Sequence, residues 1–131
     1  MIKVPKKVEY SLVFIKFLAD NKVENVSLKE VSMRAGLPYR FLAKIAAVLK
    51  NGGILESREG KSGGYWLASG WEERSLFDLV AVLGEDKRLV ECLSGRCELV
   101  RGRCAMRSIW VEVEKGLREG MKGIKLGEIK N

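Results

Sequence analysis

The sequence predicts a mainly α fold with a small β-hairpin: a winged helix-turn-helix followed by a long C-terminal dimerisation helix. Three observations predict it. Apolar residues recur at helical spacing in several separate stretches, a glycine-containing turn joins two short helices in the first half, and a glycine-rich tip separates two short apolar runs just after them. The chain divides accordingly into residues 1–83, a winged helix-turn-helix DNA-binding domain, and residues 84–131, a cysteine-bearing loop with the dimerisation helix.

The first helix, over about 7–19, places Val8, Leu12, Ile15 and Leu18 on one stripe that Phe14 and Phe17 widen. Asn21–Val26 is short and polar and reads as a loop. Ser27 with Glu30 has the form of a capping box, in which hydroxyl and carboxylate each satisfy a free backbone N–H. A short second helix follows, with Leu28 and Val31 inward, and stops at Gly36. Pro38 suits the first position of a third helix, where its missing N–H is not needed. That helix runs to about Asn51 with Phe41, Leu42, Ile45, Val48 and Leu49 inward, and Gly52-Gly53 ends it. An ordinary antiparallel helix pair would fit these two helices as well, but the next segment favours the helix-turn-helix. Ile54–Ser57 and Tyr65–Leu67 read as the strands of a wing, with Glu59–Gly64 as its tip. Glycines there allow backbone to approach a phosphate chain, and Arg58 and Lys61 bring charge. The glycine run opens no helix within a βαβ unit, so it is not a dinucleotide loop.

Residues 75–83 form another amphipathic helix, with Leu76, Leu79, Val80 and Leu83 inward. Glu85–Arg103 is polar, interrupted by glycine and cysteine-bearing, and reads as a loop. From about Cys104 to Lys122 a long helix returns, with Ile109, Trp110, Val113, Leu117 and Met121 on one face. Little of the chain remains to cover that face, so it is expected to cross a second copy. Gly116 and Gly120 each cost about 1 kcal/mol relative to alanine in a helix; they either permit close approach or mark fraying.

Composition narrows the chemistry. The 131 residues are 47% hydrophobic, enough for a core without staples. No uncharged run approaches the ~20 apolar residues of a membrane span. Lys16 interrupts the apolar stretch Tyr10–Leu18 and no small-x-small site follows, so a cytoplasmic protein without membrane association is expected. The formal net charge is +7 and uneven: residues 1–67 carry 12 Lys and Arg against 6 Asp and Glu, residues 68–131 carry 12 against 11. A basic half joined to a nearly neutral one suits phosphates on one surface and self-association on another, although a solvated basic surface without a partner has the same composition. Histidine is absent, which excludes hydrolases built on a serine or cysteine with histidine. Three cysteines cannot close a disulfide framework among themselves; clustered as Cys92, Cys97 and Cys104 they suit metal or redox chemistry. Thiolates are soft ligands for iron–sulfur clusters and zinc, and the surrounding Arg96, Arg101, Arg103 and Arg107 favour the thiolate form. Thiol redox sensing and a structural role as small buried hydrophobes are the other readings.

Taken together, Val26-Ser27-Leu28-Lys29-Glu30-Val31, Gly63-Gly64-Tyr65 with Leu67, the three-cysteine loop and Leu126-Gly127-Glu128-Ile129 make nearly the whole chain resemble one family: the IscR/NsrR/CymR-type winged-helix transcription regulators. The resemblance implies a homodimer on a palindromic operator in double-stranded DNA, no enzymatic activity, and an iron–sulfur cluster, 2Fe-2S in preference to 4Fe-4S. The wing departs from the family pattern, with Glu59 at an arginine place and Ser62 at a glycine; Arg58 stands one residue earlier. Arg107 occupies the place of a histidine ligand and cannot ligate. The NsrR-like pattern of a carboxylate ligand donated by the other subunit falls here on Glu9, with Glu91, Glu98 or water as alternatives.

The candidate DNA-binding set is Ser27, Pro38, Tyr39, Arg40, Lys44, Arg58, Lys61, Gly63 and Gly64. Within it Arg40 and Lys44, four apart near the start of the third helix beside small Ala43 and Ala47, are the expected major-groove readers. The candidate cluster ligands are Cys92, Cys97, Cys104 and Glu9; the candidate dimer interface is Ile109, Trp110, Val113, Leu117 and Met121. Two competing functions fit parts of the pattern: an iron–sulfur electron carrier or cluster-transfer protein, and a regulator of the same fold that senses without a cluster.

Overall fold

The computed structural model describes residues 2–21, 25–61, 63–90, 93 and 104–129. Helix α1 (Lys6–Asp20) starts behind Pro5, whose carbonyl accepts from the N–H groups of Val8 and Glu9. It buries Val8, Phe14, Ile15 and Leu18. Ser11 shares the buried face, its hydroxyl satisfied by donation to the Lys7 carbonyl at 2.6 Å. Leu12 and Phe17 are half-buried at the edges of the core.

Helix α2 (Leu28–Ala35) forms only half of the expected capping box. Ser27 Oγ accepts from the Glu30 N–H at 3.2 Å, but the Glu30 carboxylate turns to Arg34, one turn on, which donates to it at 3.2 Å. Gly36 ends the helix in the left-handed region, φ 71°, which favours glycine. Pro38 stands one residue earlier than expected, as the cap of α3 (Tyr39–Asn51), where its carbonyl accepts from the Leu42 N–H. The buried stripe of α3 is Leu42, Ile45, Ala46 and Leu49. Val48, expected inward, is exposed, because at ~100° per residue it shares the outer face with Lys44, four residues back.

The wing is an antiparallel hairpin of β1 (Leu55–Arg58) and β2 (Gly64–Leu67), registered Leu55 to Leu67 and Arg58 to Gly64. The first strand thus starts one residue later than expected, after the buried Ile54. The expected Asn21–Val26 loop ends in structure. Asn25 adopts φ 64°, and Val26 forms an antiparallel bridge to Tyr65, whose N–H donates to the Val26 carbonyl at 2.9 Å. The wing is therefore pinned to the residue just before the α2 cap.

A 3₁₀ turn, Trp71–Glu73, unforeseen in the sequence, leads to α4 (Leu76–Val82), whose cap is a complete Ser75/Asp78 box. Helix α5 (Arg107–Lys122) begins three residues after Cys104, so this cysteine precedes the helix rather than opening it. The chain then folds back. The Leu76 N–H donates to the Ile124 carbonyl, the Leu126 N–H to the Arg74 carbonyl, and Leu126 is buried in the core. Gly127 is required there: a Cβ would sit 2.8 Å from that of Glu72. One core results, drawn from α1, α2, α3, β1, α4 and Leu126, each fully buried large side chain contributing on the order of 1.5–3 kcal/mol. Among the described residues, no helix is long and apolar enough to cross a membrane.

Candidate nucleic-acid interface

The outer face of α3 and the wing present basic side chains to solvent. Tyr39, Arg40 and Lys44 are exposed on the first turns of α3, and Arg58 and Lys61 on the wing. Several carboxylates of the N-terminal half are already engaged, while Glu59 stands exposed on the wing between Arg58 and Lys61. Glu9 pairs with Lys6 at 3.0 Å, Asp20 with Lys16 at 2.6 Å and Glu30 with Arg34 at 3.2 Å, while Glu56 accepts from the Trp66 indole at 2.7 Å. Among the described residues, Arg40, Lys44, Arg58 and Lys61 make no ion pair. Helix α3 contains no acid to offset Arg40 and Lys44, which leaves their charge available to phosphates, while on the wing Glu59 shares the tip with Arg58 and Lys61. Lys29 and Lys50, which the sequence reading did not select, add exposed cations on α2 and at the end of α3. A tally of unpaired cations on the two helices would have found them.

The two wing glycines have an internal reason to be glycine. A Cβ on Gly63 would lie 2.1 Å from the Arg58 carbonyl oxygen, and one on Gly64 would lie 2.6 Å from the Asn25 carbonyl carbon. They let the tip close and let β2 lie against Asn25-Val26, which sets the wing's pose relative to α2. Ser27 is exposed with its hydroxyl spent on the helix cap, and Pro38 is exposed at the start of α3.

The expected self-association stripe splits in two. Ile109, Trp110, Val113 and Leu117 are exposed, Ile109 by 57% and Val113 by 39%, whereas Met121 packs on the core of its own chain. The side of α5 that meets its own body contains a residue the periodicity did not flag: Glu114, only 4% exposed. It accepts from Arg88, from the Leu89 N–H at 3.3 Å and from Arg118 Nε at 3.2 Å. Desolvation pushes its carboxyl up, but the Arg88 hydrogen bond, the Leu89 N–H and Arg118 outweigh it and leave it below the usual carboxylate range. The available signal was a glutamate inside an apolar stripe with an arginine four residues on.

Cys104 is a half-buried free thiol. Cys92 and Cys97 lie outside the described residues, as do Glu91 and Glu98 and the arginines at 96, 101 and 103. Among the described residues, no group of three potential ligands surrounds a metal position. The donor chemistry fits an iron–sulfur cluster in kind: three thiols on one short stretch, no histidine, and so one further donor required. Glu9 is exposed on α1, where among the described residues it pairs at the surface with Lys6.

A family model described as "Rrf2: Iron-dependent Transcriptional regulator" matches residues 4–131. Protein rrf2 of Nitratidesulfovibrio vulgaris is 31% identical over 105 residues, covering 79% of this chain and 70% of that protein. Among solved structures, T. potens IscR superposes with a TM-score of 0.74 at 26% identity, over 98% of this chain and 85% of its own. CymR, the global cysteine regulator of B. subtilis, superposes with a TM-score of 0.77 at 24% identity over the full length of both chains, a likeness of fold. The family and CymR are described as regulators, not as enzymes.

Proposed function

Because the chain belongs to the Rrf2 family of transcriptional regulators, we propose that it binds a palindromic operator in double-stranded DNA as a homodimer and senses through an iron–sulfur cluster held by Cys92, Cys97 and Cys104. The observation that carries the DNA-binding part is that Arg40, Lys44, Arg58 and Lys61 stand exposed on adjoining elements and make no ion pair among the described residues. Residues 1–83 read DNA in this proposal, and residues 84–131 hold the cluster and pair the subunits. Regulator membership argues against the electron-carrier or cluster-transfer alternative, for which a basic recognition helix and a wing have no use.

The chain's residues divide the work. Arg40 and Lys44 enter the major groove, their position set by Leu42, Ile45, Ala46 and Leu49 on the opposite side of α3. Tyr39 supplies a phosphate or thymine-methyl contact. Ser27 and Pro38 fix the ends of the two helices against the backbone, and Arg58 and Lys61 engage phosphates or the minor groove, on a wing whose pose Gly63, Gly64 and the Val26–Tyr65 bridge determine. Ile109, Trp110, Val113 and Leu117 form a two-fold seam with their mates, Met121 anchoring its end to the chain's own core. The cysteine thiolates hold the cluster, 2Fe-2S in preference to 4Fe-4S, with the partner's α1 donating the Glu9 carboxylate, a harder donor than thiolate. When bound, such a cluster supplies sensitivity to iron supply, oxidants or nitric oxide. A difference in operator affinity between loaded and cluster-free dimer is a population shift between competent and incompetent spacings of the recognition helices. Function in the cytoplasm follows from this role.

Anaerobic reconstitution of wild type with the Glu9→Ala, Glu91→Ala and Glu98→Ala variants tests this reading. The loaded and cluster-free wild type differ in operator affinity, and Glu9→Ala alone alters the visible spectrum and shortens the cluster's lifetime. Equal affinity of the two forms overturns the sensing proposal. A Glu9 variant that behaves as wild type while another variant fails reassigns the fourth ligand.

A further inference from the structure

We infer that Glu114 is the fulcrum of the long helix: the positioning residue that fixes the direction in which the arm of α5 leaves the winged-helix body. This rests on the proposed dimerisation through α5 and adds how that helix is aimed.

The side chains of residues 107–113 are all exposed, and Glu114 is the first buried residue of the helix. Residues 108–113, at ~1.5 Å each, give an exposed arm of about 9 Å that carries Ile109, Trp110 and Val113. Beyond Glu114 the helix is tied repeatedly to its own chain. Arg118 Nη2 donates to the Asp86 carbonyl at 3.1 Å, Arg118 and Lys122 lie over the Phe77 ring, and the segment after the helix bonds to Arg74 and Leu76. Apolar packing alone does not set the angle at the fulcrum. A half-open groove of about 380 Å³ lies between the helix and the body, lined by Val8 and Leu12 of α1, Phe77 and Val80 of α4, and Glu114 and Leu117 of α5. The direction of the arm therefore falls to the clamp that Glu114 makes with Arg88, the Leu89 N–H and Arg118. A charged group accepting from two guanidiniums and an amide is strongly directional, and a buried carboxylate releases such partners at high cost. In a dimer joined through the arms, this angle sets the spacing of the two copies of α3. Glu114 also ties α5 to residues 88–89, so displacement of that segment would re-aim the arm.

The test uses the full-length dimer with Glu114→Ala, Glu114→Gln and Arg88→Ala. One readout is affinity for operators whose half-sites are moved apart by one or two base pairs. The other, independent of DNA, is amide hydrogen exchange at Leu89 and along α5. Glu114→Ala is expected to stay dimeric, to lose about tenfold or more on the preferred spacing, to flatten the spacing preference, and to exchange Leu89 faster. Glu114→Gln, which keeps an acceptor oxygen, and Arg88→Ala, which keeps two of the three donors, fall between. Unchanged spacing preference and Leu89 exchange in Glu114→Ala overturn the inference. If that variant does not fold, the same two readouts on Glu114→Gln and Arg88→Ala decide, wild-type behaviour in both being the overturning result. Should the wild type bind no specific operator, the functional proposal fails, while the exchange measurement still decides whether Glu114 is the fulcrum.

Discussion

Replacing Arg40 and Lys44 together with alanine is expected to lower operator affinity at least about 30-fold, by fluorescence anisotropy at fixed salt. The side chains are exposed, four residues apart on α3, and pair with no carboxylate among the described residues, so their removal costs the fold little. A side chain bidentate to a base contributes about 1–3 kcal/mol of discrimination, and the pair therefore about 2 kcal/mol or more. Each single variant relaxes preference at one base pair per half-site. Lys61→Ala on the wing, by contrast, weakens all sequences alike and reduces the salt dependence by about one charge per subunit. An unchanged affinity of the double variant would show that α3 is not the reading helix.

The second large effect is expected from Val113→Asp. Val113 is exposed on the arm of α5, between Trp110 and Leu117 on the proposed seam. A carboxylate placed at a two-fold axis meets its own mate and must be desolvated beside it, a cost of several kcal/mol in an interface core. Sedimentation at micromolar concentration is expected to show monomers, with unchanged helix content because the site faces away from its own core. Operator affinity drops steeply, since each half-site alone is held weakly. A Val113→Asp protein that remains dimeric would place the seam elsewhere.

How much of this was legible in the sequence depended on the range of the interactions. Local periodicity was enough for α1 and α4, and for the hairpin to within a residue, because their buried stripes follow from backbone geometry alone. It misplaced Val48 because an apolar residue next to a stripe is ambiguous until neighbouring elements fix the helix's rotation; Ala46, small and inconspicuous, took the inward place. Glu30 satisfied the spacing of a capping box yet turned to Arg34, a choice among nearby donors that spacing cannot rank. The Val26–Tyr65 bridge and the return of Leu126 to the core join residues far apart in the chain, and nothing local announces them.

For the candidate site the pattern is similar. The exposure of Arg40, Lys44, Arg58 and Lys61 follows from the outer faces of their elements and was readable. Their lack of ion pairs depends on where Glu30 and Glu56 found their partners and on Glu59 pairing with neither wing cation. Long helix α5 read as one apolar face, but the structure divides it between an inward side, with Glu114, Arg118 and Met121, and an outward side, with Ile109, Trp110 and Val113. The glutamate inside the stripe marked that division.

Iron and acid-labile sulfide, measured per chain in anaerobically purified protein beside a variant with all three cysteines replaced by alanine, bear most directly on cluster sensing. Equal amounts of iron and sulfide are expected in the wild type, about two of each per chain for a 2Fe-2S cluster, and none in the triple variant at unchanged helix content. A wild type that holds zinc, or no metal and no sulfide, would contradict it.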